Sequence, residues 1–144
     1  MEPWKWYAVA SAVFAGLTAV LAKAGLKGLG ADTALFVRTW MVAGMVLVLA
    51  LWVQGGKATW AALSGVGGKP FAWLAASALA TTASWVCYYR AMEGGDVHYV
   101  ALVDKGSILI TLVGAALLLG ERISLQTAGG AGLILAGLIV IARG

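Results

Sequence analysis

The chain is short of charge. Of its 144 residues, only 11% are Asp, Glu, Lys or Arg, against roughly 25% in a soluble domain, which needs them to cover its surface. Cysteine and histidine are scarcer still. Cys87 lies inside an apolar run and His98 stands alone, so neither a disulfide framework nor a metal cluster is expected. There is no Gly-rich phosphate loop, no Ser/His/Asp set and no pair of catalytic carboxylates. These absences exclude a primary pump with its own ATP site. They leave no expected cofactor or metal, and they argue against an enzyme.

What the chain does have is apolar sequence, 62% of it, with a mean hydropathy of +0.92. The apolar residues fall in long blocks, which is the membrane signature. Many of the twenty glycines sit inside those blocks, where small residues let helix backbones approach closely. Ten Lys and Arg against six Asp and Glu leave a formal charge of +4. These cations are scattered singly between apolar runs and form no basic stripe with interleaved aromatics. Anionic lipid headgroups are therefore the expected partner, and nucleic acid is not.

Five blocks predict an all-α membrane protein, a bundle of five transmembrane helices over about 6–26, 33–53, 70–91, 97–119 and 125–142 in one domain, 1–144. Each is about 18–23 residues, enough at 1.5 Å per residue for a bilayer core of about 30 Å. The first is too long for a signal-peptide core and reads as a retained helix. Asp32-Thr33 and Ser124 have the chemistry of N-caps, and Pro70 that of a first helical residue. The connector between the second and third spans carries Ala58 to Val66, read as a short interfacial helix or an early turn of the next span. Glu93-Gly94-Gly95-Asp96 reads as a tight turn.

Five spans put the termini on opposite sides. Lys5, Lys57, Lys69 and Arg122 fall on one side. Lys23, Lys27, Arg90 and Arg143 fall on the other, joined by Arg38 if it snorkels. Orientation normally follows a clear Lys/Arg excess on the cytoplasmic side, and here there is none. Either another cue orients the chain, or it inserts both ways and pairs with an inverted copy of itself. Trp4, Trp6, Trp52, Trp60 and Trp73 on one side, and Tyr88, Tyr89 and Tyr99 on the other, read as aromatic belts. Ala128, Gly132 and Ala136 repeat every four residues in the fifth span, and Gly130 and Gly137 are seven apart. This chargeless helix is the candidate dimer seam. The similar stripe Ala8, Ala12, Gly16 is assigned to packing within the chain.

Three ionisable residues lie at depth: Arg38, Asp104 and Lys105. A charge in lipid costs several kcal/mol, from about 3 to well over 10 by different measures, so such groups face a polar cavity or a partner. Asp104 lies roughly 10 Å into the fourth span, and Arg38 similarly deep from the same face. Neighbours on a helix point about 100° apart, so a pair between Asp104 and Arg38 is the simplest arrangement, leaving Lys105 without a carboxylate at its level. The functional reading is a net positive site for an anionic or zwitterionic small molecule, with Asp104 protonatable and Trp40, Trp85 and Tyr89 as candidate lining. The plain alternative is that the cations snorkel and Asp104 only neutralises one of them.

Tyr88-Tyr89-Arg90-Ala91-Met92-Glu93-Gly94-Gly95-Asp96, then Val103-Asp104-Lys105-Gly106-Ser107 and Leu119-Gly120-Glu121-Arg122-Ile123-Ser124, resemble the EamA domain of the drug/metabolite transporter superfamily, and Asp104-Lys105 resembles its short, single-domain members. The resemblance implies one five-helix repeat of a transporter that usually has two, the second inverted. It therefore implies an antiparallel homodimer or a paired EamA-like subunit, with substrate near the midplane. The expected function is a secondary transporter or exporter of a small metabolite in a bacterial or archaeal cytoplasmic membrane. A lipid-carrier flippase component and a non-transporting accessory subunit are the alternatives. The small multidrug-resistance fold fits less well, because it has four helices and a Glu in the first.

Overall fold

A computed structural model describes residues 2–143; Met1 and Gly144, the ends of the expected domain, lie outside the described residues. The regular structure is helical: α1 Pro3–Leu26, α2 Ala31–Gln54, α3 Gly56–Gly65, α4 Gly68–Gly94, α5 Val97–Asp104, α6 Ser107–Leu119 and α7 Leu125–Arg143. Five stretches are long and apolar enough to cross a bilayer: α1, α2, α4, α5 with α6, and α7, of 19 to 27 residues. At 1.5 Å per residue the shortest reaches about 28 Å, close to the bilayer core. The chain is an all-α integral membrane protein, with lipid around it.

Helix ends follow from a few residues. The α1–α2 loop turns through Gly30, whose φ of 74° is a conformation that favours glycine. Gly30 has no side chain to cap α2, and the orphan Ala31 N–H donates instead to Glu93 Oε1 of α4, 3.3 Å away. Asp32 is thus not the cap expected from sequence. It lies inside the first turn, where a carboxylate complements the positive helix end. Ser124 does cap: its Oγ accepts the Thr127 N–H at 3.1 Å. The connector forms the separate helix α3, the first of its two sequence readings. Helix α4 begins at Gly68, two residues before Pro70, and runs through Gly94, so the turn after it is shorter than expected.

Two compact units are present, Ala22–Gly94 and Met1–Leu21 with Gly95–Gly144. In the first, α2 and α4 run antiparallel, with Ala31 opposite Glu93, Asp32 opposite Arg90 and Arg38 opposite Trp85. Arg90 grips Asp32 with two bonds of 3.2 Å, from Nε to Oδ1 and from Nη2 to Oδ2. The Lys23 ammonium donates to the Met92 carbonyl. Leu26, Ala31, Ala34, Tyr89 and Met92 are buried in this unit, all on segments that these bonds draw together. Tyr89 therefore leaves the belt to which sequence assigned it. Helix α3 packs on α2.

In the second unit α5 packs against α7. Ala131 is buried, and Leu135 and Leu138, four and seven residues on, are half-buried, which is the spacing of one helix face. At the N-terminus Trp4 donates its indole N–H to Glu2 at 2.7 Å, and Lys5 lies 5.3 Å from the Trp4 ring. Such a cluster suits the bilayer surface.

Candidate functional site

Sequence treats the fourth span as one helix; in the structure it is one span of 22 residues that tightens at the charged pair, where Lys105 and Gly106 keep right-handed helical backbone. Helix α5 stops at Asp104 and α6 begins at Ser107. Between them the amides step back three residues instead of four: Lys105 N–H to Leu102 O at 3.0 Å and Gly106 N–H to Val103 O at 2.9 Å. The tighter turn loosens the α-helical hydrogen-bond ladder at depth. Gly106 permits it, because a Cβ there would lie 3.1 Å from the Val103 carbonyl oxygen and 3.5 Å from Leu138 of α7.

The tighter turn also changes the fate of Lys105. Its ammonium lies 3.7 Å from Asp104 Oδ2, so the expectation that it lacks a carboxylate at its level does not hold. Lys105 is the residue that ends the helix, and its long flexible stem reaches back to its neighbour. Both side chains remain substantially exposed within the protomer, 62% for Lys105 and 41% for Asp104. A groove of about 440 Å³ runs beside them, lined by Leu102, Lys105, Ile108, Leu133, Gly137 and Leu138 among others.

Arg38 belongs to the other unit and has its own neighbour. Its guanidinium carbon sits 4.8 Å from the centre of the Trp85 ring. A desolvated stacking of this kind contributes about 2 kcal/mol, less than the lowest figure for a charge at depth, about 3 kcal/mol. Stacking alone therefore does not offset the charge. No carboxylate of its own unit comes within ion-pair distance of Arg38: Asp32 is held by Arg90 and Glu93 by the end of α2. Tyr89, one helical turn beyond Trp85, is buried nearby and lies within electrostatic range of Arg38.

Of the other sequence candidates, Trp40 is not gathered with this group. It meets Phe36 edge-on, ring centres 6.3 Å apart. Two residues along a helix is a rotation of about 200°, so Trp40 leaves α2 on the side away from Arg38. Ala128, Gly130, Gly132, Ala136 and Gly137 are all exposed, and an added Cβ at any of the three glycines would meet nothing within 4 Å. Ala8, Ala12 and Gly16 are exposed in the same way.

The residues that sequence reasoning missed are Lys23, Asp32, Arg90 and Glu93, which tie the α1–α2 loop to the end of α4. Their signal was present in the Arg-Ala-Met-Glu run, but only the pairing of α2 with α4 gives it meaning.

Comparison with known proteins agrees with this architecture. The profile of the EamA-like transporter family matches residues 3–143. A Sinorhizobium protein described as "Uncharacterized transporter in cobO 3'region" is 37% identical over 141 residues, covering 98% of this chain and 97% of that protein. No solved structure matches the chain. A five-span chain matched almost end to end by one family profile, and by one relative of nearly equal length, belongs to the EamA-like transporter family.

Proposed function

We propose that the chain is a secondary transporter of a small amphipathic anion, working as a dimer of inverted five-helix repeats in a bacterial or archaeal cytoplasmic membrane, with Asp104 as the proton-coupling group. The observation that carries this reading is the tightened turn of the fourth span at Asp104-Lys105-Gly106. Irregular backbone at membrane depth is tolerated where it is buried in protein or lines a water-filled cavity. Transporters place substrate and coupling-ion sites at irregularities in their spanning helices. The tightened turn falls beside the only two charges of the span. The relative's description as a transporter supports the same reading.

The dimer is supported by the even Lys/Arg count and by the open small-residue face of α7. An inverted self-copy or a paired EamA-like subunit would supply the second repeat. Two measurements test the proposal. Liposomes holding the protein and a pH-sensitive dye are offered a panel of amphipathic organic anions from outside. At least one anion is expected to move protons faster than in protein-free vesicles, and a panel with no such response removes the coupling. For topology, Glu2→Cys and Gly144→Cys are made singly in a Cys87→Ala background and labelled on intact cells with an impermeant maleimide. Each terminus is expected to label in about half the molecules if insertion follows the unbiased charge count. Labelling of only one terminus would rule out the self-inverted dimer.

A further inference from the structure

We infer that Arg38, beside the Trp85 ring, is the recognition element for a monovalent oxyanion that presents two oxygens side by side, as a carboxylate does. This deepens the proposed function, on which it rests for the substrate class. The inference starts from how a guanidinium beside an indole ring spends its valences. The guanidinium carbon lies 4.8 Å from the centre of the Trp85 ring, and the five N–H donors of a guanidinium lie in its plane. Arg38 makes no hydrogen bond and no ion pair within its unit. Within that unit its donors are therefore free, and such a fork takes a carboxylate through two parallel bonds.

Charge sets the valence of the guest. Arg38 is the one cation in the spanning interior of the Ala22–Gly94 unit. Lys23 and Arg90 are engaged at the end of α4, Lys27 lies in the α1–α2 loop, and Lys57 and Lys69 lie on or beside the α3 connector. One fixed positive charge neutralises a monoanion, whereas a dianion would carry an uncompensated charge to this depth. The Trp85 ring adds an apolar shelf and the Tyr89 phenol a neighbouring hydroxyl, one turn apart on the same face of α4. The guest is thus a carboxylate on an apolar body. The phosphodiester of an anionic lipid has the same charge and the same paired oxygens, so the two sources must be separated by experiment.

The test measures binding, not flux, so its failure leaves the Asp104 coupling assay standing. Protein in a neutral maltoside detergent is titrated with benzoate, with the uncharged isostere benzamide, and with the soluble lipid dihexanoyl phosphatidylglycerol, following thermal unfolding. Ligands that bind the folded state raise the unfolding temperature. Benzoate is expected to do so by a few degrees and benzamide not at all. Arg38→Lys keeps the charge and loses the fork, and is expected to weaken benzoate roughly tenfold. Trp85→Leu, which removes the stacking shelf, is expected to weaken it more than Trp85→Phe does. A response to the lipid alone, lost in Arg38→Lys, also supports the oxyanion site and assigns it to a headgroup. No response to either anion, or an undiminished response in Arg38→Lys and Arg38→Gln, overturns the inference.

Discussion

Asp104→Asn is expected to abolish the proton-coupled component of flux while shifting the unfolding temperature in detergent by no more than a few degrees. The two halves of this expectation have separate causes. Asn matches Asp in shape but cannot release and take up a proton, so a coupling role ends completely. Stability hardly moves because two small terms oppose. The Asp104 carboxylate sits at the last residue of α5, where the negative end of the helix disfavours it by about 0.3–1 kcal/mol. Facing the water-filled cavity of the proposed site, its ion pair with Lys105 returns about 0–1 kcal/mol. The substitution removes both. Asp104→Glu, which keeps a carboxyl group, is expected to retain part of the coupling. A clear drop in unfolding temperature for Asp104→Asn, with coupling intact, would make the residue a packing element and favour the accessory-subunit reading.

Met92→Ala is expected to cause a large loss of stability, about 2–5 kcal/mol, read as a fall in unfolding temperature of the purified protein. Met92 is the one fully buried large side chain among the described residues, at 0% exposure. It stands two residues from the end of α4, near the membrane face. A side chain enclosed completely by protein leaves a cavity when truncated, and the lost packing sets the cost. Met92→Leu, close in volume, should cost less than about 1.5 kcal/mol. The neighbouring Arg90–Asp32 pair makes the contrast. Its side chains are 63% and 71% exposed, and breaking such a pair costs about 0–1 kcal/mol despite its two-bond geometry. If Arg90→Ala proves more damaging than Met92→Ala, the ion pair rather than burial holds this end of the unit together.

Sequence made the spans legible because lipid demands long apolar runs, and every run it marked is helical. It did not reveal the tightened turn in the fourth span. Hydropathy averages across Asp104 and Lys105, and a three-residue backbone step leaves no periodic trace. The useful signal was Gly106-Ser107 directly after the charged pair. Arg38, Asp104 and Lys105 were legible as charges in the wrong solvent, but their neighbours were not. Trp85 and Tyr89 reach Arg38 only through the α2–α4 register, and no local rule sets that. Trp40 looked equivalent on the same helix and is excluded from the group by two residues of rotation. The Asp32 cap failed for a related reason, since the partner of Ala31 is a carboxylate sixty-two residues away.

The Arg38–Trp85 contact sets an order of events during synthesis. Trp85 leaves the ribosome forty-seven residues after Arg38, a delay of about 2–9 s at 5–20 residues per second. Through that interval Arg38 has no Trp85 to stack on, and Arg90 has yet to reach Asp32. Neither contact can help to hold α2 until α4 has been made. The second membrane span gains its partners only when the third emerges.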